Sequence, residues 1–480
     1  MTPSSQAVPP AGRLTDTAAI FAVVLVCAFA LAVGVAWVNV GDPFVRHDDF
    51  PAVFGEEADY YGKTLSEGRW LNYWWVARPV LWSTQVNFVL YLLGWSIFAA
   101  GFATHAFGRN AGPFFGARVL LAVLIVLTPQ AFNIAQWFNT VVIGVWVLAG
   151  YALVCVFAPR RVAIGALLIF SPFAFSAYNT YPFYMLAMLM CRFDLDRSWR
   201  DYFLVLSVFA LSFALGLLMA YSLNWTYHGV FGVRIEEWRQ PNYITNLSDL
   251  IGNLDVLVTF LGNLVRNFGL GNTGLGYPLF MLAMLSLLVL MRRDMMLLVY
   301  TVSPILLGMG LLASYVLVTG VFLPVRATVF VWIVLSFSLV ASVRIVGTSP
   351  IRQWIGFGVL GTIVVLLGLR FDDRYRILQI WQGSTADLAA RIPVDTGRIV
   401  IYGNPASYKG AREVGLQTVE GLSYRIRYLT GKPAVMCISA KVDCSAETPP
   451  FDPRPRYGSL LIETTGGVTY IRLPAQDNPP

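Results

Sequence analysis

Two adjacent carboxylates, Asp48 and Asp49, follow the first long apolar run of the sequence, in the stretch "VRHDDFPAVF". Neighbouring carboxylates cannot both ionise freely where water is scarce, so one of them is expected to keep a raised pKa. Such a group suits general base catalysis near neutral pH. We therefore predict that Asp48 or Asp49 is a catalytic base. An ordinary solvated loop is the alternative interpretation of the pair.

The loop that holds this pair, residues 41–80, is rich in cationic and aromatic side chains. Aromatic rings cover the apolar faces of sugars, and Lys or Arg binds phosphate, so this composition suits a sugar attached to a phosphate. Lys63, Arg69 and Arg78 are predicted to bind the phosphate, and Trp70 to contact the sugar. A belt of aromatic residues at a membrane surface is the alternative explanation of the tryptophans.

Two later stretches carry further polar groups. Arg326, in "FLPVRATVF", begins the tenth apolar run on the side where positive charge is not expected, and is predicted to bind a lipid phosphate. Snorkelling to phospholipid head groups is the alternative. In "FSAYNTYPFY", Tyr178, Asn179 and Tyr181 are predicted to bond sugar hydroxyls, with interfacial anchoring as the alternative.

A metal site has only a short motif in its favour. His47 and Asp49 are its candidate ligands, because hard divalent cations such as Mg²⁺ or Mn²⁺ prefer oxygen ligands such as carboxylates. Ligands this close in sequence rarely complete a site alone, so the pattern requires no cofactor and a divalent cation is the alternative. The sequence has no Walker loop, dinucleotide fingerprint, zinc-ligand spacing or persuasive Ser-His-Asp order.

Apolar helices must position these groups. Of the 480 residues, 57% are hydrophobic and 13% are charged, whereas about a quarter are charged in soluble domains. The sequence predicts an all-α polytopic membrane protein, and its net charge of +7 indicates basic cytoplasmic loops rather than nucleic-acid binding. The predicted spans are 18–40, 81–103, 114–128, 139–158, 162–177, 181–191, 202–224, 277–291, 295–315, 322–343 and 353–370.

The distribution of positive charge predicts the topology. Short basic loops alternate with the others, which places the tail 1–17 in the cytoplasm and the loops 41–80 and 225–276 outside. Residues 162–191 are interpreted as a hairpin interrupted by Pro172 and Pro182, with "YNTY" as its turn. A single helix there would invert every later span.

Two segments on the outer side have patterns of their own. Residues 371–480 are predicted to be a small α/β domain, with a helix in "RYRILQIWQGSTADLAARI" and strands in "GRIVIYG", "AVMCIS", "YGSLLIET" and "GVTYIRL". Export would allow a Cys437–Cys444 disulfide, and two free thiols are the alternative. "NLSDLIGNLDVLVTFLGNLVRNF" predicts an amphipathic helix, lying in the outer interface or packed on the bundle.

These motifs together resemble the type C glycosyltransferases. The Asp-Asp pair in the first outer loop, "EGRW" further along it and the outer "YNTY" turn look most like the Gtr type II glucosyltransferases associated with bacterial O-antigen glucosylation. The resemblance covers roughly residues 18 to 345. It implies a GT-C-like fold for residues 18–370 and a polyprenyl-phosphate-linked sugar donor. It also implies an envelope glycan acceptor such as lipopolysaccharide, at the outer face of the bacterial inner membrane, with Asp48 or Asp49 as the base.

One feature departs from that resemblance. Some type C enzymes carry an acid in the second outer loop, but "TPQAFNIAQWFN" has none, which leaves Glu56, Glu57 or Asp59 to assist. Of these, Glu57 is predicted to contact the sugar or acceptor. The expected reaction is a single displacement with inversion. A transporter or flippase of a lipid-linked sugar is the competing function, but it should show internal repeats and polar groups at mid-membrane. A non-catalytic assembly protein would leave the acidic loop without a role.

Overall fold

The computed structural model describes residues 11–108, 114–347, 349–416, 418–437, 444, 447, 449–452 and 460–474, which are mostly helical. Short 3-10 turns, such as His47–Asp49 and Val325–Thr328, join several of the elements. The helices are α1 Ala11–Val40, α2 Phe50–Phe54, α3 Glu57–Glu67, α4 Trp70–Val76, α5 Thr84–Ala106, α6 Phe115–Val126, α7 Pro129–Ile134, α8 Phe138–Phe157, α9 Arg160–Ala177, α10 Tyr181–Met190, α11 Trp199–His228, α12 Leu247–Asn267, α13 Thr273–Arg293, α14 Met295–Thr319, α15 Val329–Val346, α16 Pro350–Ala389 and α17 Glu420–Thr430. The strands are β1 Arg398–Tyr402, β2 Ala434–Met436, β3 Leu461–Thr465 and β4 Val468–Arg472.

The helices form a multi-pass membrane bundle. In the described part of the chain, ten helical segments are long and apolar enough to cross a membrane, and α6 and α10 are shorter apolar helices. Each of the eleven predicted spans coincides with a helix of this set, so the polytopic prediction is confirmed. The remaining long apolar helix is α12, which the sequence predicted to be amphipathic.

The hairpin predicted for residues 162–191 is present as α9 and α10. Pro182 lies in the first turn of α10, as expected, but Pro172 lies inside α9 and does not end it. Helix α11 packs directly on α9 at this point, because a Cβ at Gly216 would meet the Cα of Pro172 at 3.4 Å.

The basic loops gather at one end of the bundle. Arg160, at the start of α9, pairs with Asp201 at the start of α11 at 2.7 Å. Arg197 pairs with Asp294, between α13 and α14, also at 2.7 Å.

At the opposite end, the Asn72 amide donates to the carbonyl of Ala177, the last residue of α9. The helices therefore alternate in direction, and the loop with Asp48 and Asp49 lies at the end away from the basic loops.

Helix α12 lies across this second end of the bundle. Near its start, the Asn253 amide donates at 2.8 Å to the carbonyl of Leu317, close to the end of α14. At its other end, the Phe268 ring contacts Trp332 in the second turn of α15. The end of α14 and the start of α15 face the same side, so α12 does not run along the bundle.

The C-terminal region is an α/β unit on a long helix. The strand order is β2-β1-β4-β3, with β1 parallel to both neighbours and β3 antiparallel to β4, and all four predicted strands are confirmed. Cys437 and Cys444 form the predicted disulfide. The predicted break between the last span and an amphipathic helix is wrong, because α16 runs unbroken from Pro350 to Ala389. The joining stretch has no Gly or Pro and carries the i,i+4 pair Asp372–Arg376 at 2.7 Å, which favours a continuous helix.

Candidate functional site

Asp49 is fully buried at the start of α8. One carboxylate oxygen accepts the backbone N–H and side-chain amide of Asn139, both at 3.0 Å. The other accepts the backbone N–H of Thr140 at 3.1 Å and its hydroxyl at 2.7 Å. First-turn N–H groups have no partner within their own helix, so Asp49 fixes the start of α8.

This environment makes Asp49 a structural residue. Burial raises the pKa of Asp49 to about 7, against the opposing effect of the hydrogen bonds from Thr140 and Asn139. A raised pKa alone would suit a base, but the side chain has no exposed surface and its oxygens are occupied by donors. It is therefore out of reach of an acceptor hydroxyl.

Asp48 is placed differently, with its side chain 37% exposed. The indole N–H of Trp137 donates to one of its oxygens, and the Lys63 ammonium lies 3.6 Å from the other. Burial opposes ionisation, but Lys63, His47 and the Trp137 hydrogen bond together hold the pKa of Asp48 below its usual value. The result is an ionised, accessible carboxylate.

Trp137 connects Asp48 to two arginines. The Arg326 guanidinium lies 4.0 Å from the centre of the Trp137 ring, and the Arg46 guanidinium lies 5.6 Å from it. Burial lowers the pKa of Arg46 to about 10, with Asp48 opposing and Arg326 adding to the effect. One carboxylate and two cationic groups are thus arranged around a single indole.

A cavity of about 370 Å³ opens beside Trp137. Four arginines line it: Arg46, Arg326, Arg374 and Arg412. None of the four is paired with a carboxylate within the described part of the chain. Unneutralised guanidinium groups around a pocket are suited to an anion, and their planar donor geometry matches phosphate.

The C-terminal unit forms one wall of this cavity. Arg412 and Glu413 line it, and Arg46 donates at 2.8 Å to the carbonyl of Val414. Helix α17 rests on the turn that holds the aspartates, because a Cβ at Gly421 would meet the Cβ of His47 at 3.4 Å. The polar tail is therefore part of the site and not a separate module.

Two further ion pairs fasten that wall to the segment that leads from α1 into α3. Buried Arg425 donates to both carboxylate oxygens of Asp42, and Arg427 pairs with Glu56 at 2.6 Å. The Tyr428 and Thr84 hydroxyls are 2.6 Å apart. These contacts join residues more than 340 positions apart in the chain.

The predicted phosphate-binding residues divide into two groups. Arg326 lines the cavity, whereas Lys63, Arg69 and Arg78 do not. Lys63 contacts Asp48 instead, and Arg78 donates to the carbonyl of Trp75 and stacks on its ring. Arg69 lies over the Tyr178 ring.

Arg69 also belongs to a half-buried ion cluster. It pairs with Glu67 at 2.9 Å, and Glu67 pairs in turn with Arg239. Burial opposes ionisation of Glu67, but Arg69 and Arg239 lower its pKa, so the acid is charged. This cluster ties the loop after α11 to the end of α3.

The predicted sugar-binding residues are not gathered at the cavity. Trp70 is fully buried and donates its indole N–H to Asn224, which makes it a core residue. Tyr181 is buried, as is Tyr178 beneath Arg69, whereas Asn179 is exposed. Glu57 is exposed in the first turn of α3.

The candidate metal ligands are not arranged as a site. The His47 ring nitrogen Nε2 lies 4.0 Å from Asp48, and both Asp49 oxygens accept hydrogen bonds. In the residues that the structure describes, no three His, Cys, Asp or Glu side chains gather where they could hold a metal ion.

From the sequence, Arg46 counted only as one of the cationic side chains of the first loop, and Trp137, Arg374 and Arg412 were not singled out. Arg46 directly precedes His47, Asp48 and Asp49 in the sequence. Trp137 lies beside Gln136, whose side chain accepts from Arg46 at 3.3 Å. Their types were visible, but the fold alone brings residues 46, 137, 374 and 412 together.

Comparison of the chain with protein-family models, with curated proteins and with solved structures gave no match.

Proposed function

We propose that the chain is an inverting glycosyltransferase of the GT-C type. It moves a hexose, glucose by the resemblance, from a polyprenyl-phosphate donor to an envelope glycan such as O-antigen. The site faces the periplasm from the bacterial inner membrane, with the N-terminus in the cytoplasm and the C-terminal unit outside. The observation that carries the proposal is the accessible Asp48 carboxylate, joined through Trp137 to a cavity lined by unpaired arginines.

The arginines account for the donor side of the reaction. The phosphate that links the sugar to its lipid is anionic, and Arg326, Arg46, Arg374 and Arg412 offer it guanidinium donors. As the bond between the sugar and the phosphate breaks, its electron pair stays on the phosphate oxygen. Fixed positive charge stabilises that oxygen in the transition state more than in the ground state.

Asp48 accounts for the acceptor side. An acceptor hydroxyl attacks the anomeric carbon from the face opposite the phosphate, and its proton passes to Asp48. The lowered pKa of Asp48 keeps it ionised and ready to accept that proton at neutral pH. Lys63 and Trp137 hold the carboxylate in place through the contacts described above. One bond forms, one breaks, and the configuration at the anomeric carbon inverts.

Transfer by the purified full-length protein tests the proposal. The assay supplies a labelled polyprenyl-phosphate hexose and a crude envelope glycan to wild type, Asp48→Asn and the control Asp255→Asn in detergent. Asp255 is an exposed acid of α12. Loss of a general base costs about 10²–10⁴-fold, so Asp48→Asn should lose about a thousandfold while Asp255→Asn keeps wild-type activity.

Two outcomes would contradict the proposal. Full transfer by Asp48→Asn would remove the catalytic assignment. No transfer by wild type, accompanied by movement of the lipid-linked sugar across reconstituted vesicles, would identify a flippase instead.

A further inference from the structure

The arginine-lined cavity carries more positive charge than the proposed donor can neutralise. Its charged lining residues are the four arginines and one acid, Glu413, which gives a net charge of +3. The charge of Asp48, beside the cavity, is offset by Lys63 at 3.6 Å. The phosphate that joins a sugar to a lipid is a diester, so it carries a single negative charge. Two positive charges are therefore left over when the donor is bound.

A neighbouring hollow shows that this surplus is particular to the cavity. The charged side chains that line this hollow are Arg370, Arg376, Asp372 and Asp373. Arg376 pairs with Asp372 at 2.7 Å and Arg370 pairs with Asp373 at 3.4 Å, so their charges cancel. Guanidinium groups gathered without such partners repel one another. The unbalanced arginines of the cavity therefore favour the binding of a second anion.

The four arginines of the cavity differ in depth. Arg46 is buried, Arg326 and Arg374 are partly buried, and Arg412 is exposed. Arg46 and Arg326 lie over the ring of Trp137, which contacts the proposed base, so they are placed for the phosphate that leaves the sugar. Arg412 belongs to the C-terminal unit and is the arginine that a ligand from the aqueous side meets first.

The loop that carries Arg412 is held on both sides. A Cβ at Gly410 would meet the backbone nitrogen of Trp381 in α16 at 2.7 Å, so the loop rests directly on that helix. On its other side, the carbonyl of Val414 accepts the 2.8 Å hydrogen bond from Arg46. The backbone at Arg412 is thus fixed before a ligand arrives, which lowers the entropic cost of binding.

Amide side chains supply the remaining polar lining of the cavity. They belong to Asn133, Gln136 and Asn267. An amide both donates to and accepts from hydroxyl groups, so it suits a sugar. The Oδ1 atom of Asn267 is buried and has no hydrogen-bond partner among the residues that the structure describes. This lining favours an anionic group that is carried by a sugar over a free inorganic ion.

We propose that the acceptor is an acidic glycan, and that Arg412 selects it by binding a phosphate or carboxylate group that the glycan carries. The inference rests on the proposed function, because it takes the inner arginines to be occupied by the donor phosphate. A guanidinium binds either anion through two parallel N–H bonds. The acidic group takes no part in the transfer. It holds the acceptor while a neutral hydroxyl of the same glycan attacks.

Two arginines give a matched pair of variants. Arg412→Gln removes the proposed contact with the acceptor. Arg376→Gln removes an arginine that is 62% exposed near the cavity and already balanced by Asp372. Each variant is assayed with the envelope glycan in three forms, which are untreated, freed of phosphate groups with hydrofluoric acid, and reduced at its carboxyl groups to alcohols.

The expected result is a preference for one acidic form that depends on Arg412. Wild type and Arg376→Gln should lose about tenfold in kcat/KM for the acceptor when the group that Arg412 binds is removed, as expected for a hydrogen bond to a charged group. The treatment that causes this loss identifies the group as phosphate or carboxylate. Arg412→Gln should show the lower value with all forms. Equal wild-type activity with all forms, or a tenfold loss on treatment that persists in Arg412→Gln, would overturn the inference.

A binding experiment separates this inference from the proposed function. Glucose 6-phosphate, glucuronate and glucose are titrated into the wild-type protein, which is saturated with sugar-free polyprenyl phosphate in detergent at low ionic strength, where screening is weak. At least about tenfold tighter binding of one acid than of glucose, lost in Arg412→Gln and kept in Arg376→Gln, supports the inference even if no sugar is transferred. Equal binding of all three would overturn it. So would displacement of the polyprenyl phosphate by the acid, because the cavity would then hold one anion only.

Discussion

The turn of residues 47–49 separates two regions that treat identical side chains differently. On one side, Asp49 is enclosed at the start of α8, where every partner is a neutral donor. On the other, Asp48 is accessible and its partners are Lys63, Trp137 and, at longer range, Arg326. Adjacency in the sequence therefore does not mean equivalence in chemistry. Burial gives one carboxylate a raised pKa, and nearby positive charge gives the other a lowered one.

The largest effect expected beyond the loss of transfer in Asp48→Asn is on stability, from Asp49→Asn. In this variant an NH₂ group replaces one of the two carboxylate oxygens. The NH₂ group then faces the two donors of Asn139 or the two donors of Thr140, which lose their acceptor. Each unsatisfied buried group costs about 1–3 kcal/mol, so two of them should cost the variant about 2–6 kcal/mol of stability. The measurement is the fraction that remains monodisperse after heating, with Asp255→Asn as control. Wild-type stability in Asp49→Asn would show that α8 does not depend on this carboxylate.

A smaller effect is expected in the cavity, from Arg326→Gln. A charge-assisted hydrogen bond is worth about 1.5–3 kcal/mol, so removal of this guanidinium should reduce kcat/KM for the donor by about 10–100-fold. Arg292→Gln, in the basic loops at the other end of the bundle, is the matched control. Equal activity of the two variants would mean that the cavity does not bind the donor phosphate.

The smallest effect is expected from pH. A catalytic base is active above its pKa, and the pKa of Asp48 is lowered, so transfer should change by less than about twofold between pH 6 and 8. If Asp49 were the base, its pKa of about 7 would make the rate fall toward tenfold per pH unit on the acid side of neutrality. The dependence of kcat on pH therefore shows which of the two aspartates is the base, without any substitution.

The same pKa gives Asp49 a definite influence on stability. Its pKa in the folded state is above that of an exposed aspartate, so the folded protein binds the proton more tightly. The resulting contribution is complete at acid pH, below the pKa of the unfolded chain, and is lost as pH rises through about 7. The contribution of Asp49 should therefore make the wild type more resistant to heat at pH 5 than at pH 8. The measurement is the heat resistance of the wild type at these two pH values.

Local patterns predicted much of the fold. Apolar runs gave the helices, alternation gave the four strands, and the short separation of Cys437 and Cys444 anticipated their disulfide. Proline was less reliable, since Pro172 lies inside α9, where it packs against Gly216 of another helix. The continuity of α16 was missed because the charge cluster after the last span was interpreted as a break.

The site was predicted less completely, for a physical reason. Charge and position pointed to Asp48 and Arg326, but local sequence does not reveal which aromatic ring finds a buried partner. Trp70 suited a sugar contact until Asn224, on a distant helix, proved to accept its N–H. Trp137 appeared to be only one aromatic among many. Its role depends on contacts across the fold, with Asp48 on one side and Arg326 on the other.

The position of the cavity wall has a consequence for how the protein matures. Arg46 is synthesised early and Val414, its hydrogen-bond partner, only after the last membrane helix. A nascent chain in which every helix of the bundle is already complete still lacks this wall until its tail has docked on the loop that holds Arg46. Docking of the tail therefore completes the cavity, and a chain that ends after α16 lacks the wall that Arg412, Glu413 and Val414 form.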